Sequence, residues 1–538
     1  MRIRDNKNDL LLGLGVFAVV MLFAIYTRHA WEDWYITFRP AKNLATGHGL
    51  VYNYGERVHT FTSVLGTLIP ALLSFLTGNA SDDLVLWLFR ILNAGVFAVS
   101  VVLIRKASRN WFSGPLPLLL LLAGLALDSK SLDFAINGME TPYTILGLSL
   151  FFYFVSFHPM EKLGIRLGIV WALLQYTRPD GIIFAFLLAS GILLFRDDRR
   201  AAMKTLTVSA GFALLLFAPW GLFATWYFGS PIPHSLVAKS VLVTYSVESL
   251  LRSGGQFLFS MFLLRPSVFD TIFSPAYAPI YGVFPWLLVA SRVLGTAASC
   301  IWLFPQVKSA GRIASLGCFG YATYLSLTTP LIYPWYIPGV TLLALVALSS
   351  GLDALPLAQV LKQGPRKLFG AVGAAIFIAA TLGVTLVSAH QFRYIQSIIE
   401  TNHRKVVGLW LRDHAQSSRE TVMLECVGYM GFFSGLKTYD WPGMTSPEMV
   451  DARKSLHTEN LGKLAKYLRP DWLVLRPEEL REAWLEDSVF IQRHYQLQKV
   501  FNANEDIDRL SYKPFEPYFR SDAVFLVIRK INTSFETR

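Results

Sequence analysis

Apolar segments of bilayer length recur along most of this chain and decide what it can fold into. About eleven stretches, at 9–27, 84–104, 115–128, 141–157, 163–177, 180–195, 205–227, 279–305, 313–329, 337–353 and 367–388, approach the roughly 20 residues a helix needs to cross a hydrocarbon core. With 53% hydrophobic residues among 538 and a mean hydropathy of +0.42, a soluble globular fold is excluded and a polytopic α-helical membrane protein is predicted. The first run, in "MRIRDNKNDLLLGLGVFAVVMLFAIYTRHA", is too long for a signal-peptide core and lacks a small-x-small cleavage site, so it is expected to stay attached as the first spanning helix.

Charge then sets the topology. One further apolar stretch, "TSVLGTLIPALLSFLTG" from Thr62, decides the arrangement. If it crosses, the basic connection "RKASRN" and its successors fall outside. If it lies in the interface, "MRIRDNK", "RKASRN", "HPMEKLGIR", "RDDRRAAMK", "QVKSAGR" and "LKQGPRK" all fall inside, as the bias of Lys and Arg toward cytoplasmic loops requires. The second version is adopted. The net charge of +12 then belongs to inner loops, and with no basic stripe interleaved with aromatics in a soluble part, nucleic acid is not an expected partner. Three cysteines exclude a disulfide framework, and their spacing suggests no metal site.

This topology leaves on the outer side the loop 28–83, the stretch 133–140, the "TRPDG" turn, the segment 228–279, the "IYPWYIP" turn and everything after about residue 390. The tail 390–538 changes character: mixed charge, helical periodicity in "QFRYIQSIIETNHRKVVGLWLRDH", then short β-rich runs such as "DWLVLRP" and "DAVFLVIRK". A soluble α/β domain is predicted there, beside a transmembrane module over 1–389.

The polar residues concentrate in those outer segments. "WEDWYITFRPAKNLATGHGLVYNYGERVHTFTS" carries the adjacent acids Glu32 and Asp33, then Tyr35, Arg39, Asn43, Arg57 and His59. As a solvated interfacial linker such a loop would need little more than aromatic anchors. Its mixture also supplies a base, cations for a phosphate and rings for a sugar, the parts of a transferase acting on a lipid phosphate. In "DSKSLDFAINGMETPYTILGL", Glu140 is either a helix cap or a second acid toward the same cavity. Arg178 and Asp180 in "TRPDG" pair locally or offer Arg178 to phosphate. "YFGSPIPHSLVAKS" holds His234 and Lys239 behind two prolines, with Lys239 either a phosphate contact or a snorkelling side chain. Tyr333 and Trp335 in "LIYPWYIP" suit stacking or an interfacial belt, and Tyr439 and Trp441 suit a sugar or a core.

Taken in order, "ED" before "YIT", Arg39, "NL", "GHGLV", Asn53, "GERV", "TS", "NGMETP", "TRPDG", "IPHSLVAKS" and "VGYMGFFSGLKTYDWPGMTSPE" resemble the family C (GT-C) membrane glycosyltransferases, in particular the branch of terminal and pilin arabinofuranosyltransferases. Glu32, Trp34, Pro40 and His59 depart from that branch's pattern. The resemblance implies a GT-C fold whose first outer loop carries interfacial helices, and an active site on the periplasmic face of a bacterial inner membrane. It implies Asp33 as catalytic base, with Glu32, Tyr35, Arg39, Asn43, Arg57, Glu140, Arg178, Asp180, His234, Lys239, Tyr333 and Trp335 as donor- or substrate-binding candidates. The donor would be a polyprenyl-phosphate sugar, D-arabinofuranose by preference, and the acceptor a pilin-like protein or an envelope glycan. No cofactor is required, a metal ion being possible. A transporter or flippase of lipid-linked saccharide is the rival reading; it needs polar groups at mid-membrane rather than at helix ends.

Overall fold

The computed structural model describes residues 2–241, 246–262, 267–276, 285–328, 332–354, 366–510 and 516–531. Residues 361–365 of the basic connection "LKQGPRK" and the start of the 279–305 segment lie outside them. Among the described residues six helices are long and apolar enough to cross a membrane: Asn6–Thr27, Asp82–Ser108, Arg199–Phe228, Pro285–Leu303, Pro334–Ala354 and Gly370–His414. This corrects the expected eleven.

For four of the five that fall away the reason is helix length; the fifth, 313–329, lies in Ser309–Thr328, which has 20 residues but is not apolar enough to count among the six. The apolar runs at 115–128, 141–157, 163–177 and 180–195 form Pro115–Ala126, Thr141–Phe157, Gly164–Thr177 and Gly181–Phe195, of 12, 17, 14 and 15 residues. At 1.5 Å per residue these measure about 18 to 26 Å, against a core of about 30 Å. Corners interrupt what reads as continuous apolar sequence. At one of them a Cβ on Gly181 would overlap the Leu174 carbonyl, so only glycine lets the chain reverse so tightly after Thr177.

The chain forms two compact units. The first comprises Met1–Arg28, Trp87–Pro219 and Tyr245–His390, and the regular elements among its described residues are all helices. Its central helix Ile337–Ala354 is apolar on every side and buried on nearly every residue, as a helix without a polar face must be. Asp9, near the start of Arg2–Thr27, pairs with Arg109 at 2.8 Å and with Arg105, at the end of Asp82–Ser108. These two helices therefore run antiparallel, and the chain between them returns to the side it left. Val64–Leu76, which begins at a Ser63 cap, has 13 residues, about 20 Å, and is too short to cross. Length and antiparallel pairing both support an interfacial placement.

The second unit gathers His29–Leu86, Trp220–Thr244 and Gln391–Arg538. The first loop thus packs with the tail, although 390 is where the soluble pattern begins in sequence. Its core is a five-stranded mixed sheet of β1 (Thr421–Leu424), β2 (Lys437–Asp440), β3 (Trp472–Leu475), β4 (Tyr495–Asn502) and β5 (Val524–Lys530), ordered β2-β1-β3-β5-β4. β1 runs parallel to β2 and β3, while β5 is antiparallel to β3 and β4. β3, "WLVL", is buried at all four positions, as expected of a strand covered on both faces. One of the two cores flanking this sheet includes Ile36 and Tyr52 from the first loop.

Candidate active site

Glu32 and Asp33 open the helix Glu32–Ala45, where acids meet the positive end of the helix dipole. Both are half-buried. Glu32 Oε1 accepts the backbone N–H of Gly428 at 2.9 Å, from the turn that follows β1. Burial pushes the Glu32 carboxyl up to about 8; Arg404 opposes the rise, and the acids Glu425, Asp33 and Glu400 add to it. Glu32 therefore stands in a desolvated environment with several acids nearby, which favours its protonated form.

Several loop residues expected at a substrate have partners within the protein. Arg39 is buried, its Nη1 donating to Gly431 O at 2.6 Å and its Nη2 to Gly435 O at 3.2 Å and Leu436 O at 3.0 Å. It closes the carbonyl end of the helix Tyr429–Ser434. Tyr35 packs among Tyr429, Phe432 and Phe433, with ring centroids 4.4 to 5.2 Å away. Asn43 donates from Nδ2 to Val51 O and Tyr52 O and holds the following turn. Tyr439 and Trp441 pack against the tail's second core, the bland of the two readings.

Arg57 is exposed, its guanidinium 4.8 Å from the Tyr227 ring centre. Nearby, His59 lies flat on Phe228, centroids 4.7 Å apart, and its carbonyl accepts the backbone N–H of His234 at 2.7 Å. Burial pushes His59 down to about 4 and lowers His234. Lys239 is exposed on the last turn of the helix His234–Ser240.

The first unit holds its own polar cluster. Arg178 Nη1 contacts Glu140 Oε1 at 3.1 Å, and its Nε contacts Asp180 Oδ1 at 3.0 Å. The guanidinium stands 4.7 Å over Tyr336, and Tyr321 donates its hydroxyl to Asp180. Glu140 occupies the cap position of Thr141–Phe157, but its side chain makes no cap bond, so the acid serves the cluster. The local Arg178–Asp180 pair is present as spacing suggested. Tyr333 and Trp335 stack on each other at 4.6 Å.

Sequence reading missed Tyr321, hidden in the apolar helix Ser309–Thr328, and passed over Tyr336 within the "LIYPWYIP" turn. It also missed a buried ionic network in the tail. Arg404 pairs with Glu400 at 2.7 Å and with Asp522; Arg476 reaches Asp522 at 2.5 Å, Glu425 at 2.6 Å and Glu479 at 2.6 Å. Burial alone would raise Asp522, but the two arginines outweigh it and hold the carboxyl down at about 2. Among the described residues no group of three His, Cys, Asp or Glu side chains is placed to hold a metal ion.

Fold and sequence together define a polytopic membrane protein of GT-C architecture with a soluble C-terminal domain built on a β-sheet. The particular likenesses are as follows. ArnT from Cupriavidus metallidurans bound to undecaprenyl phosphate superposes over 98% of this chain and 99% of its own, with a TM-score of 0.53 and 12% identity. The apo state of the same protein gives 0.54 and 11%, over 99% and 100%. These are likenesses of fold. The terminal beta-(1->2)-arabinofuranosyltransferase of Corynebacterium glutamicum is 26% identical over 255 residues, 43% of this chain and 35% of that protein, so only about a third of the curated relative's length is matched. Residues 392–523 match a family model described as a domain of unknown function, DUF8728.

Proposed function

We propose that this chain is an inverting glycosyltransferase that moves a sugar, D-arabinofuranose in the first instance, from a polyprenyl monophosphate to a hydroxyl of a protein or glycan acceptor, on the periplasmic side of a bacterial inner membrane. The observation that carries the reading is the half-buried acid pair Glu32–Asp33 on the first turn of the loop helix. The likeness to ArnT bound to undecaprenyl phosphate and the arabinofuranosyltransferase match support the donor.

Asp33 takes the proton of the acceptor hydroxyl. The acceptor oxygen bonds to the anomeric carbon from the face opposite the phosphate, the carbon–oxygen bond to the phosphate breaks, and its electron pair leaves with the polyprenyl phosphate. Positive charge must meet that leaving group, and the exposed Arg57 and Lys239, in the same unit as Asp33, are the candidates. Arg39 is left out because its donors already serve the tail.

The test incubates purified protein with polyprenyl-phosphoryl arabinofuranose or a polyprenyl-phosphoryl hexose plus an acceptor panel, and measures released polyprenyl phosphate and glycosylated acceptor. Wild type is expected to turn over the arabinose donor, and Asp33→Asn to lose roughly 10² to 10⁴ in rate. Turnover of the hexose donor alone would remove the sugar assignment, and an unimpaired Asp33→Asn would remove the base.

A further inference from the structure

The tail of this chain matches a domain of unknown function, and its geometry points to a task for it. β1 ends at Leu424, and the next four residues make a turn that is held from several sides. Arg476 grips it through Glu425 at 2.6 Å and the Cys426 sulfur at 3.3 Å. Tyr52, from the first loop, donates its hydroxyl to Val427 O at 2.8 Å. Arg476 is itself fixed by Asp522 and Glu479, so the turn rests on a network rather than on one contact.

The turn presents Gly428 to the acid pair. Its N–H donates to Glu32 Oε1 at 2.9 Å, and a Cβ on it would overlap the Glu32 carbonyl and stand 2.7 Å from Glu32 Cγ. Its φ of −64° is open to any residue, so close approach and not backbone freedom demands glycine here. We propose that Gly428 is a positioning residue for the transfer reaction: its amide holds the Glu32 carboxyl, its missing side chain seats the Glu32 backbone, and together they fix the helix turn that carries Asp33. The tail is then part of the catalytic apparatus rather than an accessory. Burial and neighbouring acids raise the Glu32 carboxyl, so whatever holds Glu32 also tunes the charge beside the base.

This inference rests on Asp33 as the base, so the experiment separates the two. Steady-state kinetics, pH–rate profiles and thermal melts are measured on full-length wild type, Asp33→Asn, Gly428→Ala, Glu32→Gln and Glu32→Ala. A displacement of about 1 Å at a reacting group costs on the order of 10² in rate. Gly428→Ala is expected to lower kcat by about that factor while changing the donor KM less than about threefold. Glu32→Gln, whose amide oxygen still accepts from Gly428, should retain kcat within about tenfold and move the pH profile, because a titrating neighbour of the base is gone. Glu32→Ala should fall with Gly428→Ala. A merely structural contact would lower the melting temperature but leave kcat per folded molecule, the Gln-versus-Ala contrast and the pH profile unmoved, and that result overturns the proposal. If Gly428→Ala does not fold, the two Glu32 variants decide alone. Full activity of Asp33→Asn sinks the base reading; loss there with wild-type behaviour at Glu32 and Gly428 sinks only this inference.

Discussion

The Arg39 guanidinium lies 4.3 Å from the centre of the Tyr52 ring and donates to the Gly431, Gly435 and Leu436 carbonyls of the tail. A residue that reads as a phosphate contact is thus the pin between first loop and tail. Arg39→Ala removes the charged donor from all three carbonyls, of which Gly431 O keeps the Gly435 N–H and the Ser434 hydroxyl, a loss of about 1 to 3 kcal/mol for each carbonyl left bare. Arg39→Lys keeps the charge without the planar fork and should recover only part. Thermal melts and limited proteolysis of solubilised protein measure both. A raised donor KM with an unchanged melt would return Arg39 to the phosphate.

Arg178 stands between the buried Glu140 and the half-buried Asp180. Removing the cation strands both, so Arg178→Gln should destabilise by about 3 to 5 kcal/mol. Neutralising one stranded acid as well, in Arg178→Gln with Glu140→Gln, should recover at least about 1 kcal/mol of that loss, because contacting residues in one network do not add. Melts of the two singles and the double close the cycle. Additive effects would mean that the pair is not energetically coupled.

His59 is buried neutral against Phe228, its pKa near 4 against an ordinary value of 6.5. The unfolded chain therefore binds the proton first as pH falls, so stability is full above about 6.5 and declines until the folded group also titrates near 4. A gap of that size is worth roughly 3 kcal/mol at most. His59→Phe keeps a flat ring on Phe228 and should match wild type at pH 7.5 while melting higher than it at pH 5. Parallel melting curves for the two proteins across that range would refute the neutral burial.

What sequence could show follows from how local each signal is. The tail strands were legible in "DWLVLRP" and "DAVFLVIRK", because alternation and β-branched content are read within a few residues. The Arg178–Asp180 pair was legible from a spacing of two. The contact of Glu32 with Gly428 spans 396 residues, and the partners of Arg39 are as distant, so a cation in a polar loop had no visible engagement. The count of crossings failed for another reason: apolar letters continue through corners such as Thr177 to Gly181, and composition does not see where a helix stops.

Orientation is the remaining arithmetic, and it turns on Asp9. Because Asp9 meets Arg105 and Arg109, the chain's start and the "RKASRN" connection share one side. The basic bias of such connections assigns that side to the cytoplasm. Asn110 is exposed just beyond this cluster and Ser418 is exposed in the tail, so each accepts a cysteine without disturbing a core. In intact spheroplasts an impermeant maleimide should label Ser418→Cys and leave Asn110→Cys unlabelled until the membrane is opened. The native cysteines provide a low background, since Cys318 and Cys426 are buried and Cys300 is only partly exposed. Labelling of Asn110→Cys in sealed cells would place the whole basic set outside, and with it the acid pair on the side where an outward-facing donor is out of reach.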